Sequence, residues 1–180
     1  DGEICFDITG SYNIFDNVLM GGMASTLAAQ GAASRVLKIA TGGENTFIGC
    51  QIGLDTVLRS ALNANIEFAS GTARNRFLGC IFPIWTDDTT SLGILGSAAA
   101  CMDRYQHFEG CSFINAIQST GATLAALATL PASAGGMLHF KDCSLVGITE
   151  FGTDATTRNQ CYVMGASGTA ATTGIAIIPT

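Results

Sequence analysis

The sequence predicts an all-β fold: a single-stranded, right-handed parallel β-helix, or solenoid, of about five coils with a period of about 31 residues. A short motif recurs at near-constant spacing, and further short alternating segments lie at similar places between its copies. The composition agrees, because 22 glycines and only 3 prolines are typical of many short strands joined by tight turns.

The recurrent motif is six residues long and has the pattern any, any, Phe, any, Gly or Asp, Cys. Four copies occupy residues 45–50, 75–80, 106–111 and 138–143, and a weaker copy occupies residues 12–17. The spacings from Asn17 through the four cysteines are 33, 30, 31 and 32 residues. A period of this length, repeated so regularly, indicates a solenoid.

Each copy is interpreted as a strand, a one-residue bend and a second strand. The Gly or Asp position is typical of a left-handed backbone conformation, and in the weak copy Asp16 occupies it. Equivalent residues of successive coils would stack about 4.8 Å apart. The first predicted inward column is Ile14, Phe47, Phe77, Phe108 and Phe140, and the second, just after the bend, is Asn17, Cys50, Cys80, Cys111 and Cys143.

Two further strands complete each predicted coil. One precedes the motif, at residues 36–39 and 65–68, and the other follows it, at residues 56–58, 91–95 and 123–127. Residues 1–160 are assigned to the coils. Residues 161–180 are assigned to a partial sixth coil, a C-terminal cap or an inter-subunit strand, and the chain is expected to be a fragment of a longer one. Another all-β fold, such as a jelly roll, is the alternative.

The seven cysteines predict free, buried thiols in a reducing compartment, because their number is odd and no CxxC pair occurs. His107 and His139 take the same repeat position and, with Arg76 and Thr46, predict an outward polar row. No third ligand accompanies the two histidines, so neither a metal site nor a cofactor is predicted.

Charge and hydropathy exclude two classes of partner. The net charge is −6 and the eight basic residues are scattered, which argues against nucleic acid. No run of 18 apolar residues exists, so no membrane span is predicted. Charged residues make up only 12% of the chain, which indicates a surface partly buried against a partner. We expect a homo-oligomer, with a trimer favoured.

The sequence offers no convincing catalytic pair. A glycosidase holds two carboxyl groups roughly 5–10 Å apart, whereas the adjacent Asp87 and Asp88 would point to opposite faces of a strand. Asp103 and Arg104 are expected to form a surface ion pair or a contact between coils. Trp85 is either a core residue or, with Asp87 and Asp88, part of a contact surface for sugar or protein. We therefore predict no enzymatic activity.

The segments 44–57, 75–77 and 132–136 resemble virion proteins of tailed bacteriophages, and the resemblance extends from about residue 34 onward. It implies a structural component of the virion, assembled in the host cytoplasm. Such a component is a capsid decoration (knob or cement) protein or an appendage that contacts the major capsid protein or another virion protein. No catalytic residue of a phage depolymerase is matched. The alternatives are a tail-spike-like protein that binds or degrades polysaccharide, and a bacterial surface adhesin.

Overall fold

The structure, a computed structural model, describes residues 3–21, 33–59, 63–86, 92–116, 123–152 and 160–165. Within these ranges the chain forms eighteen short strands and no helix. All strand pairs are parallel. The predicted all-β class is therefore confirmed.

The strands build three parallel sheets. The first contains β1 (Ile4–Ile8), β4 (Arg35–Ile39), β7 (Ala64–Phe68), β11 (Leu92–Gly96), β14 (Leu124–Thr129) and β17 (Ile148–Gly152). The second contains β2 (Ile14–Asp16), β5 (Thr46–Ile48), β9 (Arg76–Leu78), β12 (Met102–Glu109), β15 (Gly136–Lys141) and β18 (Cys161–Met164). The third contains β3 (Leu19–Met20), β6 (Gln51–Ile52), β10 (Ile81–Ile84), β13 (Ser112–Asn115) and β16 (Ser144–Val146). The short β8 (Thr72–Ala73) pairs with the start of β12.

The chain visits the three sheets in turn, so each turn of the solenoid adds one strand to every sheet. In the second sheet the register joins Phe15, Phe47, Phe77, Phe108 and Phe140, which lie 30 to 32 residues apart. The predicted solenoid and its period of about 31 residues are confirmed, although the solenoid makes about four turns rather than about five.

The aromatic column forms the centre of the core. Neighbouring rings from Phe15 to Phe140 stack with centroids 4.9, 4.6, 4.6 and 5.1 Å apart. Phe82 and Phe113 of the third sheet stack at 4.6 Å and meet the first column edge-on. Offset and edge-to-face contacts are the favourable aromatic geometries, so the period of the sequence becomes a continuous packed core.

The first rung differs from the prediction by one residue. Phe15, not Ile14, pairs with Phe47, and Ile14 faces outward with 72% of its surface exposed. Asn17 forms the bend, at φ 54°, in place of Asp16, so it does not join the cysteine column. A one-residue shift exchanges the two faces of a strand. Phe15 can stack on Phe47 and Ile14 cannot, which sets the register.

The bends follow the predicted column in the later coils. Gly49, Gly79, Gly110 and Asp142 all have φ between 53° and 61°. Only glycine adopts this conformation without cost, and Asn and Asp tolerate it better than other residues. Gly165 adds a further bend after β18, at φ 63°. Of the predicted C-terminal cap, residues 161–164 therefore continue the second sheet, and residues 166–180 lie outside the described residues.

A buried amide ladder runs beside the aromatic column. The side chains of Asn45, Asn75 and Gln106 are fully buried. Asn13 Nδ2 donates to Asn45 Oδ1, Asn45 Nδ2 to Asn75 Oδ1 and Asn75 Nδ2 to Gln106 Oε1, at 2.9, 2.9 and 2.8 Å. Gln106 Nε2 donates to the main-chain oxygen of Thr72 at 2.8 Å, which ends the ladder. Each buried amide thus has a partner, as interior polar groups require.

Candidate functional site

The cysteine column lies inside the solenoid. The thiols of Cys50, Cys80, Cys111 and Cys143 donate to the main-chain oxygens of Phe15, Phe47, Phe77 and Phe108, with Sγ–O distances of 3.3–3.5 Å. All seven cysteines are free, and six of them are buried, whereas Cys5 is exposed. The cysteines of this column therefore pack in the core as small hydrophobic side chains, each with a weak S–H donor.

The contacts between neighbouring interior thiols shift their pKa values in opposite directions, and the hydrogen bonds with Cys111 lower the pKa of Cys80 and of Cys143. The neighbouring thiols of Cys143 and Cys80, together with burial, raise the pKa of Cys111. Burial raises the pKa of Cys161 to about 12. Because the thiolate is the nucleophile and the metal ligand, the raised pKa values make Cys111 and Cys161 poor nucleophiles at neutral pH.

The chemistry-bearing side chains that face outward gather on the second sheet. One column of the register contains Thr46, Arg76, His107, His139 and Tyr162. We call it the outer column. The first four members are the polar row that the sequence predicts, and β18 adds the tyrosine.

The two histidines of the outer column contact each other directly. His107 Nδ1 and His139 Nδ1 are 3.0 Å apart, and His107 Nε2 is 3.2 Å from Glu109 Oε2. If the Nε2 proton of a neutral His107 is donated to Glu109, its Nδ1 accepts from His139. The Nε2 atom of His139 then carries a free lone pair and has no partner among the described residues. In this tautomer, Nε2 of His139 is a hydrogen-bond acceptor.

Glu109 balances the charge on this face. Lys141 Nζ lies 2.5 Å from Glu109 Oε1. The hydrogen bonds from Lys141 and His107 lower the pKa of Glu109, and the bond to Glu109 raises the pKa of Lys141. Burial, and then the electrostatic influence of His107 and Lys141, lower the pKa of His139. His139 is therefore neutral at pH 7, and Glu109 is ionised.

Two adjoining surface cavities lie over the outer column. One, of about 370 Å³, is lined by Tyr105, Met137, His139 and Tyr162. The other, of about 360 Å³, is lined by Arg76, Tyr105, His107 and His139. Because they share Tyr105 and His139, they form one groove, which we call the tyrosine–histidine groove. It has aromatic walls at one end and a guanidinium group at the other, which is the usual make-up of a ligand site.

The contact surface predicted around Trp85 is only partly described. Trp85 is half-buried, and its indole Nε1 has no hydrogen-bond partner among the described residues. Asp87 and Asp88 lie outside the described residues. Asp103 and Arg104 are exposed and 3.9 Å apart, as expected of a surface ion pair.

A buried arginine was not anticipated from the sequence. Arg59 is 2% exposed, and its guanidinium donates to Asn63 Oδ1 at 2.8 Å and Asn65 Oδ1 at 2.5 Å. Burial lowers its pKa to about 9. Arg59 lies after strand β6 in the chain, and its main chain forms an isolated parallel β-bridge with Thr86. Two amide oxygens hold it inside the solenoid, so we assign it a structural role.

No family model matches the chain, and no match is found among curated proteins or solved structures. Fold and site thus define the class, a parallel β-solenoid protein with a groove on its outer surface. In the part of the chain that the structure describes, no helix is long and apolar enough to cross a membrane. The same residues contain no group of three His, Cys, Asp or Glu side chains that could hold a metal ion.

Proposed function

We propose that the chain is a structural component of a larger assembly, a capsid decoration (knob or cement) protein of a tailed phage. In this proposal it acts as a homotrimer and binds the major capsid protein or a neighbouring virion protein, without enzymatic activity. The sequence resemblance and the low charge of the chain support the virion setting.

The first rung of the solenoid is the observation that carries the proposal. Among the described residues, β1, β2 and β3 each lie at the edge of a sheet and pair with a strand on one side only. Tyr12, Ile14 and Leu19 on this rung are 74%, 72% and 61% exposed. An unpaired strand edge with apolar side chains is prone to associate with another chain. Burying it against neighbouring subunits would remove this apolar surface from water.

The oligomeric state tests the proposal first. Light scattering should give a mass near three times 18.5 kDa for the purified chain. Leu19→Lys should lower this mass, because it places a charge at the first-rung edge. Ile81→Lys is the matched control, since Ile81 follows Leu19 and Gln51 in the same column but lies on a middle rung. A monomeric chain would reject the trimer, and equal effects of the two variants would reject the edge as its interface.

The tyrosine–histidine groove favours a second function, binding of a polysaccharide. Tyr105 and Met137 are partly exposed and form one wall, and Tyr162 lies beside His139 on the next strand. Tyrosines present a flat apolar face with a polar tip, which suits the apolar face and the hydroxyl rim of a sugar ring.

A Tyr105→Ala variant tests this second function. It should weaken retention on immobilised polysaccharides, whereas Val146→Ala, which trims an exposed apolar side chain on the third sheet, should not. Equal retention of both variants would show that the groove takes no part in binding. If the parent chain and both variants all fail to bind the immobilised polysaccharides, polysaccharide binding is rejected as a function.

A further inference from the structure

Four cationic side chains lie in or beside the second sheet, and three of them are neutralised by a carboxylate. The three pairs are Arg74 with Glu44, Arg104 with Asp103, and Lys141 with Glu109. Arg76 is the fourth, and it forms no ion pair with any carboxylate of the described residues. Its guanidinium lines the tyrosine–histidine groove. In a chain of net charge −6, an unpaired cation in a groove is the feature that requires explanation.

We infer that Arg76 binds the carboxylate of a sugar residue, so that the tyrosine–histidine groove recognises an acidic polysaccharide. The inference rests on the polysaccharide-binding function and specifies its ligand class. A guanidinium matches a carboxylate through two parallel N–H···O bonds, which gives both charge and geometry.

The remaining walls of the groove fit the rest of such a ligand. Arg76 and Tyr162 are three rungs apart along the outer column, a span of roughly 14 Å at the usual strand spacing. A short stretch of a polysaccharide laid across the strands would therefore place a carboxylate at Arg76 and a ring over the tyrosines. The free lone pair of His139 Nε2 can accept a hydrogen bond from a hydroxyl group between them.

Charge confines this ligand to the groove. The acidic chain repels a polyanion over most of its surface, and the local positive charge of Arg76 draws it to one place. A neutral polysaccharide would gain nothing from Arg76 and would leave the guanidinium partly desolvated without a partner. The groove should therefore discriminate between acidic and neutral polymers of similar size.

Binding measurements with purified protein test the inference. The probes are polygalacturonate, alginate and polysialate, with dextran and amylose as neutral polymers of matched length. The parent chain should bind at least one acidic probe and bind the neutral ones more weakly. Arg76→Gln should weaken acidic binding by about ten-fold or more, because a charge-assisted hydrogen bond is lost. Arg104→Gln is the control, since Arg104 lies nearby but outside the groove, and it should leave affinity unchanged.

The other outcomes separate the inference from the function on which it rests. Equal affinity for acidic and neutral polymers, unchanged in Arg76→Gln, would overturn the role of Arg76 and leave polysaccharide binding in place. No binding of any polymer would overturn both. If Arg76→Gln left sugar binding intact and lowered the oligomeric mass, the partner of Arg76 would be a carboxylate of a neighbouring subunit. That result also overturns the inference.

Discussion

The inner and outer columns of the second sheet share the same strands but differ in composition. The inner aromatic column carries phenylalanine on all five rungs from Phe15 to Phe140. The outer column lies one residue earlier on each strand. Its residue type differs between successive strands, from threonine to arginine, then histidine on two strands, then tyrosine. The inner side chains are buried from Phe47 onward, whereas the outer ones reach the solvent.

This difference separates what the fold requires from what it leaves open. Inside, each ring from Phe15 to Phe140 stacks on the ring of the next coil in a space fixed by the strand spacing, and Val163 ends the column on β18. Outside, water replaces the neighbouring layer and the packing constraint is absent. The outer column is therefore where a binding surface can be built without cost to the core.

The largest effect should come from the middle of the inner column. Phe77→Ala removes a buried ring that stacks on two others and should lower the free energy of unfolding by about 3–5 kcal/mol. Arg76→Ala, on the adjacent outer position of the same strand, should change it by less than about 0.5 kcal/mol. Denaturant unfolding of both variants measures the contrast, and similar losses would show that the two columns are not energetically distinct.

The amide ladder should show the next largest effect. Asn75→Ala removes the acceptor of the Asn45 main-chain N–H and of one side-chain N–H of Asn45, and it removes the side-chain donor to Gln106. The main-chain N–H of Asn45 is then buried without a partner, whereas Asn45 Nδ2 keeps Gly10 O and Gln106 Oε1 keeps the main-chain N–H of residue 75. The expected loss is about 1–3 kcal/mol. Asn13→Ala is the control at the exposed end of the ladder and should cost less. A larger loss in Asn13→Ala than in Asn75→Ala would contradict the importance of burial.

The cysteines offer a smaller and simpler contrast. Cys80→Ala leaves a small void in the core and should destabilise the chain by about 1 kcal/mol. Cys5→Ala affects an exposed thiol and should be nearly neutral. Thermal unfolding under reducing conditions compares them. A neutral Cys80→Ala would mean that the core closes around the missing sulfur.

The smallest effect should be a pH dependence in the outer column. The folded pKa of His139 lies below its unfolded value, so the unfolded chain binds more protons between the two pKa values. Stability should therefore fall as the pH drops below the ordinary histidine value of about 6.5. Glu109, whose folded pKa is also lowered, adds to this loss at more acid pH.

His139→Gln isolates the histidine contribution. Its free energy of unfolding should change less than that of the parent chain between pH 7.5 and pH 5.5, because Glu109, Lys141 and Arg76 remain in place. Denaturant unfolding at the two pH values gives the comparison. An identical pH dependence in the parent and the variant would assign the effect to other groups.

Several features of the fold were predictable from the sequence because they repeat. The spacing of Phe47, Phe77, Phe108 and Phe140 gave the period, and the glycines beside them gave the bend. The first rung was harder, since residues 14 and 15 are both apolar and only the stacking partner decides between them. A second bend in the first three coils was also hidden, because it uses Tyr12, Glu44 and Arg74 at positive φ instead of a glycine.

The candidate site divides in the same way. The outward row from Thr46 to His139 follows from the repeat alone, because residues in register must lie side by side. Tyr105, Met137 and Tyr162 could not be added to it from the pattern. The first two lie beside the motif, and Tyr162 lies 23 positions after His139, not about 31.

The sequence by itself thus determined the solenoid, its period and the residues that face its core, because a periodic pattern needs no long-range information to be read. Only the tertiary structure decided the register of the first rung, the buried position of Arg59, and the meeting of Arg76, Tyr105 and Tyr162 in one groove. These features depend on which strands pair and on the length of each loop between them, and a local sequence pattern specifies neither.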